Sequence, residues 1–241
     1  MKTLRRLLLL NFCAFLFYCT FPGRAAEPPA DVRPLLTKPG TLLFSEDFSQ
    51  VPHERDQQNK TRKGWMSGKG KWEIKDGVLV GAENPEDHHG AMLTKPGLVF
   101  HDATIQVSFR LDGAKGITLD ANSFDLGRII AASVSSTELR LARSLEGGDK
   151  LEVLDKVPLQ LAAGTWYVLL LEVQGNNVVA SIDGKQAAFG TGERIDVEKT
   201  SVQLRISGES VALRNLRVWE ATPANAWEAT KAKLLEGRKT K

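Results

Sequence analysis

The sequence predicts an all-β protein, a jelly-roll sandwich of two antiparallel sheets with a short C-terminal helix. Three observations lead to this fold class: segments in which apolar and polar residues alternate, Asp-Gly pairs between such segments, and one terminal segment with helical spacing. Alternation with a period of two is typical of strands that have one face in a core and the other in water. That arrangement is usual in antiparallel sheets.

The clearest alternation occupies Ala103–Leu111, where every second residue is apolar. Residues 201–207 alternate in the same way, so both segments are predicted to be strands with one wet face. Residues 166–171 are apolar at every position, which indicates a central strand covered on both faces, although a helix has the same composition.

Turn residues support the same interpretation. Asp76-Gly77 and Asp183-Gly184 each follow a strand-like segment, and an Asp-Gly pair readily adopts the positive φ angles of a tight hairpin. In the last strand-like segment the apolar phase slips near Arg214-Asn215, which predicts a β-bulge there.

A helix is predicted near the C-terminus, because Thr222 is a good N-cap and Pro223 suits the first helical position. Trp227, Leu234 and Leu235 then share a narrow apolar stripe. We therefore divide the chain into a signal peptide at 1–25, an exposed N-terminal arm at 26–40, the jelly-roll sandwich at 41–221, and a helix with a basic tail at 222–241.

The first 25 residues predict export. Lys2, Arg5 and Arg6 precede an apolar segment at 7–21, and small residues follow at the positions that a signal peptidase recognises. The apolar segment is shorter than the roughly 20 residues of a membrane-spanning helix. We expect a cleaved signal and a periplasmic or extracellular protein without a membrane anchor; an uncleaved anchor is the alternative.

Processing changes the composition of the chain. Both cysteines, Cys13 and Cys19, lie in the leader, so the mature protein would have no thiol and no disulfide. The full chain has 32 basic and 29 acidic residues, and loss of the four leader cations leaves 28 against 29, a net charge of −1. The basic pI is therefore no reason to expect a nucleic-acid partner.

Several catalytic and cofactor motifs are missing from the sequence. It has no Gly-rich phosphate loop, no HExxH, no GxSxG and no zinc-like spacing of Cys or His. We expect no metal and no cofactor; a structural calcium ion is compatible with the sequence, but nothing indicates one. The Glu-x-Asp-x-Glu motif of one jelly-roll glycosidase group is also absent, since the nearest segment, 194–198, begins with Arg194.

The densest group of titratable residues is Glu86-Asp87-His88-His89-Gly90. Asp87, His88 and His89 are candidate catalytic residues, because carboxylates and imidazoles contact sugars, transfer protons or bind cations. The alternative is a polar turn. Adjacent histidines on an extended chain point to opposite sides, so at most one would face a given pocket.

The polar faces of the strands are the second candidate surface, where Gln and Arg side chains could hold sugar hydroxyls through several hydrogen bonds. An ordinary wet sheet face is the alternative. The five tryptophans could stack on sugars but are more typical of a core. The candidate substrate-binding residues are Gln106, Arg110, Arg128, Arg140, Gln203 and Arg205.

Short motifs connect this sequence with a known family. They are Gly64-Trp65, the segment Trp-Glu-Ile-Lys-Asp-Gly-Val-Leu at 72–79, Gly164-Thr165-Trp166 and the closing strand at 215–218. In their order they resemble the concanavalin A-like domains of the 3-keto-disaccharide hydrolase family. The resemblance implies a concanavalin A-like jelly roll and an exported hydrolase or sugar-binding module. The family's central Asn-Ser-Gly-Ile is replaced here by residues 114–117, as in a divergent member.

Three hypotheses follow. The first is a hydrolase acting on a glycoside or an oxidised disaccharide, in which Gln106, Arg110 and Arg128 hold the sugar and His88 or His89 transfers protons. The second is a lectin-like module that binds a glycan without catalysis, and the third is a structural or protein-interaction sandwich. Carbohydrate is the expected partner in the first two, and the oligomeric state stays open.

Overall fold

The computed structural model of the protein describes residues 32–49, 64–145 and 150–239. The leader at 1–25, with its predicted signal peptide, lies outside these residues. The described elements are β1 (Thr37–Glu46), β2 (Met66–Lys69), β3 (Lys71–Lys75), β4 (Val78–Ala82), β5 (Ala91–Phe100), β6 (Ala103–Leu111), β7 (Ala114–Ser123), β8 (Gly127–Val134), β9 (Glu138–Ser144), β10 (Leu151–Pro158), β11 (Trp166–Gln174), β12 (Asn177–Ile182), β13 (Gln186–Thr191), β14 (Lys199–Gly208), β15 (Val211–Pro223) and α1 (Trp227–Lys239).

The strands form two antiparallel sheets, which confirms the predicted fold class. One sheet has eight strands in the order β13-β12-β11-β6-β15-β4-β3, with β1 also paired to β15. The other has seven strands in the order β10-β9-β8-β7-β14-β5-β2. Apolar side chains from the inner faces of both sheets make one large core. Each sheet consequently has one inner and one outer face.

The apolar residues of both alternating segments face the core as predicted, but the wet face predicted for β6 is wrong, because Thr104, Gln106 and Ser108 on its outer face are buried as well. In β6, the apolar set from Ala103 to Leu111 is buried in the core, and in β14 the same is true of Val202, Leu204 and Ile206. The apolar segment at 166–171 lies in β11, which is a central strand between β12 and β6. Its two-faced apolar character therefore comes from burial on both sides of the sheet.

Both Asp-Gly pairs form hairpin turns. Asp76 and Gly77 have φ values of 52° and 73° between β3 and β4, and Asp183 and Gly184 have values of 51° and 65° between β12 and β13. The predicted bulge in β15 is also present, because its register with β6 shifts between Arg214 and Arg217. Before the bulge, one edge of β15 pairs with β4, and after it the same edge pairs with β1.

Two predicted boundaries differ from the structure. Strand β1 begins at Thr37, within the segment expected to be an exposed arm, and Leu36 and Thr37 are buried. At the other end, Thr222 and Pro223 do not start a helix, because they pair with Lys38 and Thr37 as the end of β15. The helix begins only at Trp227.

A buried glutamate fixes the N-terminal segment on the outer face of the eight-stranded sheet. Glu172 accepts hydrogen bonds from the backbone N–H groups of Leu35, Leu36 and Thr37, at 3.0, 2.8 and 2.8 Å, and from the Thr37 hydroxyl at 2.9 Å. Burial raises the pKa of the Glu172 carboxyl, and these hydrogen bonds act in the opposite direction.

Helix α1 covers another part of that outer face. Trp227 and Leu234 pack with Leu36, Val179 and Phe189, as the apolar stripe predicts, whereas Leu235 is largely exposed. Within the described ranges, no helix is both long and apolar enough to cross a bilayer. The outer face of the eight-stranded sheet is therefore partly covered by residues 35–37 and by α1.

Candidate functional site

The outer face of the seven-stranded sheet presents a row of polar side chains. Strand pairing places Lys156, Arg140, Ser133, Thr118 and Arg205 in register across β10, β9, β8, β7 and β14. The strand neighbours of the last four are core residues, and Val157, next to Lys156, packs against the core, so these side chains point outward. Two hydroxyl residues thus lie between cationic side chains on either side.

A depression of about 300 Å³ lies over this row. The Thr118 and Ser133 hydroxyls, 2.9 Å apart, form its floor. We call it the polar depression, and the polar residues that line it are Lys115, Thr118, Ser133, Ser135, Glu138, Arg140 and Ser207. Its volume lies at the lower end of the range for small-molecule sites, which is about 300–1,000 Å³.

A buried ion-pair group lies beside the polar depression. Asp120 is fully buried on the same face, where Arg205 donates to it from Nε at 2.6 Å and from Nη2 at 2.9 Å. The Nε of Arg128 lies 3.4 Å from Asp120 Oδ1. Burial raises the pKa of the Asp120 carboxyl, whereas the hydrogen bonds and charges of the two arginines oppose this. One carboxylate is thus shared by two guanidinium groups.

Arg128 is only partly satisfied by this arrangement. Its Nε is buried and donates no hydrogen bond within the described part of the chain. The Oδ1 atom of Asn122, its direct partner in the β7–β8 pairing, is also buried and accepts none. Burial lowers the pKa of the Arg128 guanidinium, the charge of Asp120 raises it, and the charge of Arg205 lowers it further.

Four of the predicted binding residues come together on this face. They are Arg128, Arg140, Gln203 and Arg205, although Gln203 is turned toward β5, where its Nε2 donates to Thr94 Oγ1 at 2.8 Å. Of the four, only Arg140 lines the polar depression itself.

The other two predicted binding residues belong to the opposite sheet. Gln106 and Arg110 lie on the outer face of the eight-stranded sheet, so they cannot hold a single sugar together with Arg128, as the first hypothesis required. Gln106 lines a separate depression of about 280 Å³ with Arg217 and Trp219. Arg110 makes a bidentate hydrogen bond with Asp112 and lies over the ring of Trp166.

The histidine segment forms a single 3₁₀ turn at Pro85–Asp87 followed by His88 in the left-handed conformation, with φ 48°. Asp87 Oδ2 accepts the Gly70 N–H at 2.6 Å, and His89 Nδ1 lies 2.8 Å from the Gly90 carbonyl oxygen. A Cβ added at Gly90 would lie 2.7 Å from the Ile206 carbonyl oxygen. The turn therefore borders the end of β14, next to Ser207 of the polar depression. The catalytic roles of Asp87, His88 and His89 remain predictions.

Sequence reasoning missed Thr118 and Asp120. A signal was available, because residues 117–121 alternate Ile-Thr-Leu-Asp-Ala, which predicts a strand with Thr118 and Asp120 on one face. Three of the five tryptophans, Trp65, Trp166 and Trp227, are buried, as the core interpretation predicts. Within the described ranges, no group of three or more His, Cys, Asp or Glu side chains could hold a metal ion.

The fold is a β-sandwich of two antiparallel sheets, and the solved structures with a similar fold are β-sandwiches of the galectin-like and concanavalin-like type. A protein of unknown function with a galectin-like fold from Bacillus subtilis is 15% identical, with a TM-score of 0.57 over 78% of this chain and 100% of that one. The carbohydrate-binding module CBM66 from Bacillus subtilis is 12% identical, with a TM-score of 0.54 over 65% and 95%.

Enzymes share the fold as well. The laminarinase from Rhodothermus marinus is 10% identical, with a TM-score of 0.55 over 76% of this chain and 98% of that one. At these identities the similarity shows the fold alone. No protein-family model and no curated protein sequence matches the chain, so the resemblance to the 3-keto-disaccharide hydrolase family stays a prediction.

Proposed function

We propose that this protein binds a carbohydrate in the polar depression on the outer face of the seven-stranded sheet. The observation behind the proposal is the combination of four hydroxyl residues with a guanidinium, an ammonium and a carboxylate around one cavity of about 300 Å³. The solved structures with a similar fold include a carbohydrate-binding module and glucanases, which supports the same class of ligand.

The chemistry of the lining suits sugar hydroxyls. Each hydroxyl of Thr118, Ser133 and Ser207 both donates and accepts, as a sugar hydroxyl does. Arg140 is exposed and forms no ion pair within the described part of the chain, so its planar donors are available to two neighbouring oxygens of a sugar. Glu138 supplies an acceptor for the donors of the ligand.

Glycan binding to an Arg140→Ala variant tests this proposal. The purified protein is titrated calorimetrically with a panel of neutral and acidic oligosaccharides. We expect Arg140→Ala to weaken binding at least about tenfold at an unchanged melting temperature, as for a lost charged hydrogen bond. Arg217→Ala is the matched control, because Arg217 lines the depression on the opposite sheet. Loss of binding in the control, with binding intact in Arg140→Ala, would move the site to that sheet.

Hydrolysis of a glycoside or an oxidised disaccharide is the second candidate function. It is supported by the position of the histidine turn, whose Gly90 lies against Ile206, one residue from Ser207 of the polar depression. A histidine there could act as general acid or base. Incubation with disaccharides and their 3-keto forms tests it: sugar release that disappears in His88→Ala or His89→Ala supports catalysis, and binding without release supports the non-catalytic module.

The export predicted from the leader belongs to the same proposal, since a carbohydrate-binding domain outside the cytoplasm would meet glycans directly. Fractionation of expressing cells tests it. We expect the chain in the periplasm or the medium at the mass left after cleavage near residue 25, and a full-length cytoplasmic product would contradict export.

A further inference from the structure

The outer face of the seven-stranded sheet has more cationic than anionic side chains. Asp120 is engaged by Arg205, and Glu138 lies 3.6 Å from Lys156. This leaves Arg128, Arg140 and Lys115 without a carboxylate of their own within the described part of the chain. The overall charge of the mature chain, −1 if cleavage follows residue 25, does not explain this local excess.

The excess of positive charge is energetically least favourable at Arg128. Two guanidinium groups share the single charge of Asp120, and both of its oxygens already accept from Arg205. The Arg128 side chain is only 27% exposed, so its charge is partly desolvated without full compensation. An anion from a ligand would complete the charge balance.

Asn122 supplies a second, independent feature at the same position. It lies directly opposite Arg128 in the β7–β8 pairing, and its Oδ1 is buried without a hydrogen-bond partner in the described structure. An unsatisfied acceptor of this kind is unfavourable until a donor reaches it. Between the two residues, the β7–β8 turn carries Phe124, whose side chain is 69% exposed and suited to stack on the apolar face of a sugar ring.

From this arrangement we infer that Arg128, Asn122 and Phe124 form a subsite for an anionic sugar, one with a carboxylate or a sulfate ester. The inference rests on the proposed carbohydrate binding and specifies its ligand class. Arg128 pairs with the anionic group through its Nη donors, Asn122 Oδ1 accepts from a neighbouring hydroxyl, and Phe124 covers the ring. Arg128 and Arg140 lie on adjacent strands about 14 Å apart along the sheet, which leaves room for an oligosaccharide between them.

Matched pairs of charged and uncharged ligands test the inference. Oligogalacturonate is compared with its methyl ester, and a sulfated galactan oligosaccharide with its desulfated form, by calorimetry at low and high salt. We expect the charged member of one pair to bind at least about tenfold more tightly, with an advantage that shrinks as salt rises. Arg128→Gln should remove most of that advantage, because it weakens binding of the charged member far more than binding of the uncharged member, and Arg128→Lys should keep part of the advantage.

The possible results separate this inference from the proposed function. If uncharged oligosaccharides bind as tightly as the charged ones and depend on Arg140 but not on Arg128, the anionic subsite is wrong and carbohydrate binding stands. If no oligosaccharide of either kind binds, both fail. Melting temperatures of the variants, and Asn122→Ala as a second variant that leaves the charge in place, separate a lost subsite from a misfolded protein.

Discussion

Asp120 of β7 and Arg205 of β14 form a bidentate ion pair on a diagonal across the two strands, with oxygen–nitrogen distances of 2.6 and 2.9 Å. The carboxylate is completely buried, and the arginine side chain is 24% exposed. The pair therefore lies on the outer face of the sheet, beside the polar depression. It orients Arg205 and, through the shared carboxylate, Arg128.

Replacement of Asp120 by Asn should destabilise the protein by about 3 kcal/mol. Two partly buried guanidinium groups would lose their counter-charge while the shape of the site stays the same, and breaking a buried pair in this way is costly. Urea denaturation of both proteins measures the difference.

Asp112→Asn is the control for that prediction. Asp112 makes the same bidentate contact with Arg110, but its side chain is 27% exposed, so its loss should cost less than about 1 kcal/mol. Equal losses in the two variants would show that burial of Asp120 has no special energetic role.

Glu172→Gln should loosen the N-terminal segment. The amide nitrogen would replace one carboxylate oxygen and face the backbone donors of Leu35 or Leu36, so we expect a loss of about 2 kcal/mol and faster amide exchange at Leu36 and Thr37. Glu228→Gln, on the exposed first turn of α1, is the control and should change stability by less than about 0.5 kcal/mol. Unchanged exchange at Leu36 would contradict the anchoring role.

The buried Lys199 should make the free energy of unfolding depend on pH. Its Nζ donates to the His101 carbonyl oxygen at 2.8 Å, and burial lowers the pKa of this lysine from 10.5 to about 8. Between pH 8 and 10 the unfolded chain holds this proton and the folded chain loses it, so stability should rise with pH by up to about 2 kcal/mol. The rise should be missing in Lys199→Met and present in the exposed control Lys75→Met. The same rise in all three proteins would contradict the assignment.

The histidine turn gives a prediction that separates structure from catalysis. Asp87→Ala removes the acceptor of the Gly70 N–H and should cost about 1 kcal/mol, whereas His88→Ala should change stability little, because its contact is through the backbone to Pro85. Thermal melting compares the two variants. A larger loss for His88→Ala would mean that its ring has a structural partner in the folded protein.

The sequence was informative wherever a signal is local. Alternation placed Ala103–Leu111 and residues 201–207 in strands with the correct inner faces, and Asp76-Gly77 and Asp183-Gly184 marked their hairpins. These features depend on residues close together in the chain, which periodicity and turn chemistry describe well.

Long-range pairing could not be predicted in the same way. Gln106 and Gln203 both lie on outer strand faces, but the alternation within a strand shows neither to which sheet the strand belongs nor that Gln106 is buried. Glu172 receives hydrogen bonds from residues about 135 positions away, and Thr222 continues β15 because β1 pairs with it, despite suitable N-cap chemistry. The sequence therefore predicted which types of residue form the candidate site, but not which of these residues lie together on one sheet.

The most direct test of the account is an NMR titration of the isotope-labelled protein with the oligosaccharide panel, followed through its backbone amides. We expect chemical-shift changes to concentrate at Thr118, Ser133 and Arg140, and to be absent at Gln106 and Arg217 on the opposite sheet. Changes confined to the opposite sheet, or none with any oligosaccharide, would contradict carbohydrate binding in the polar depression.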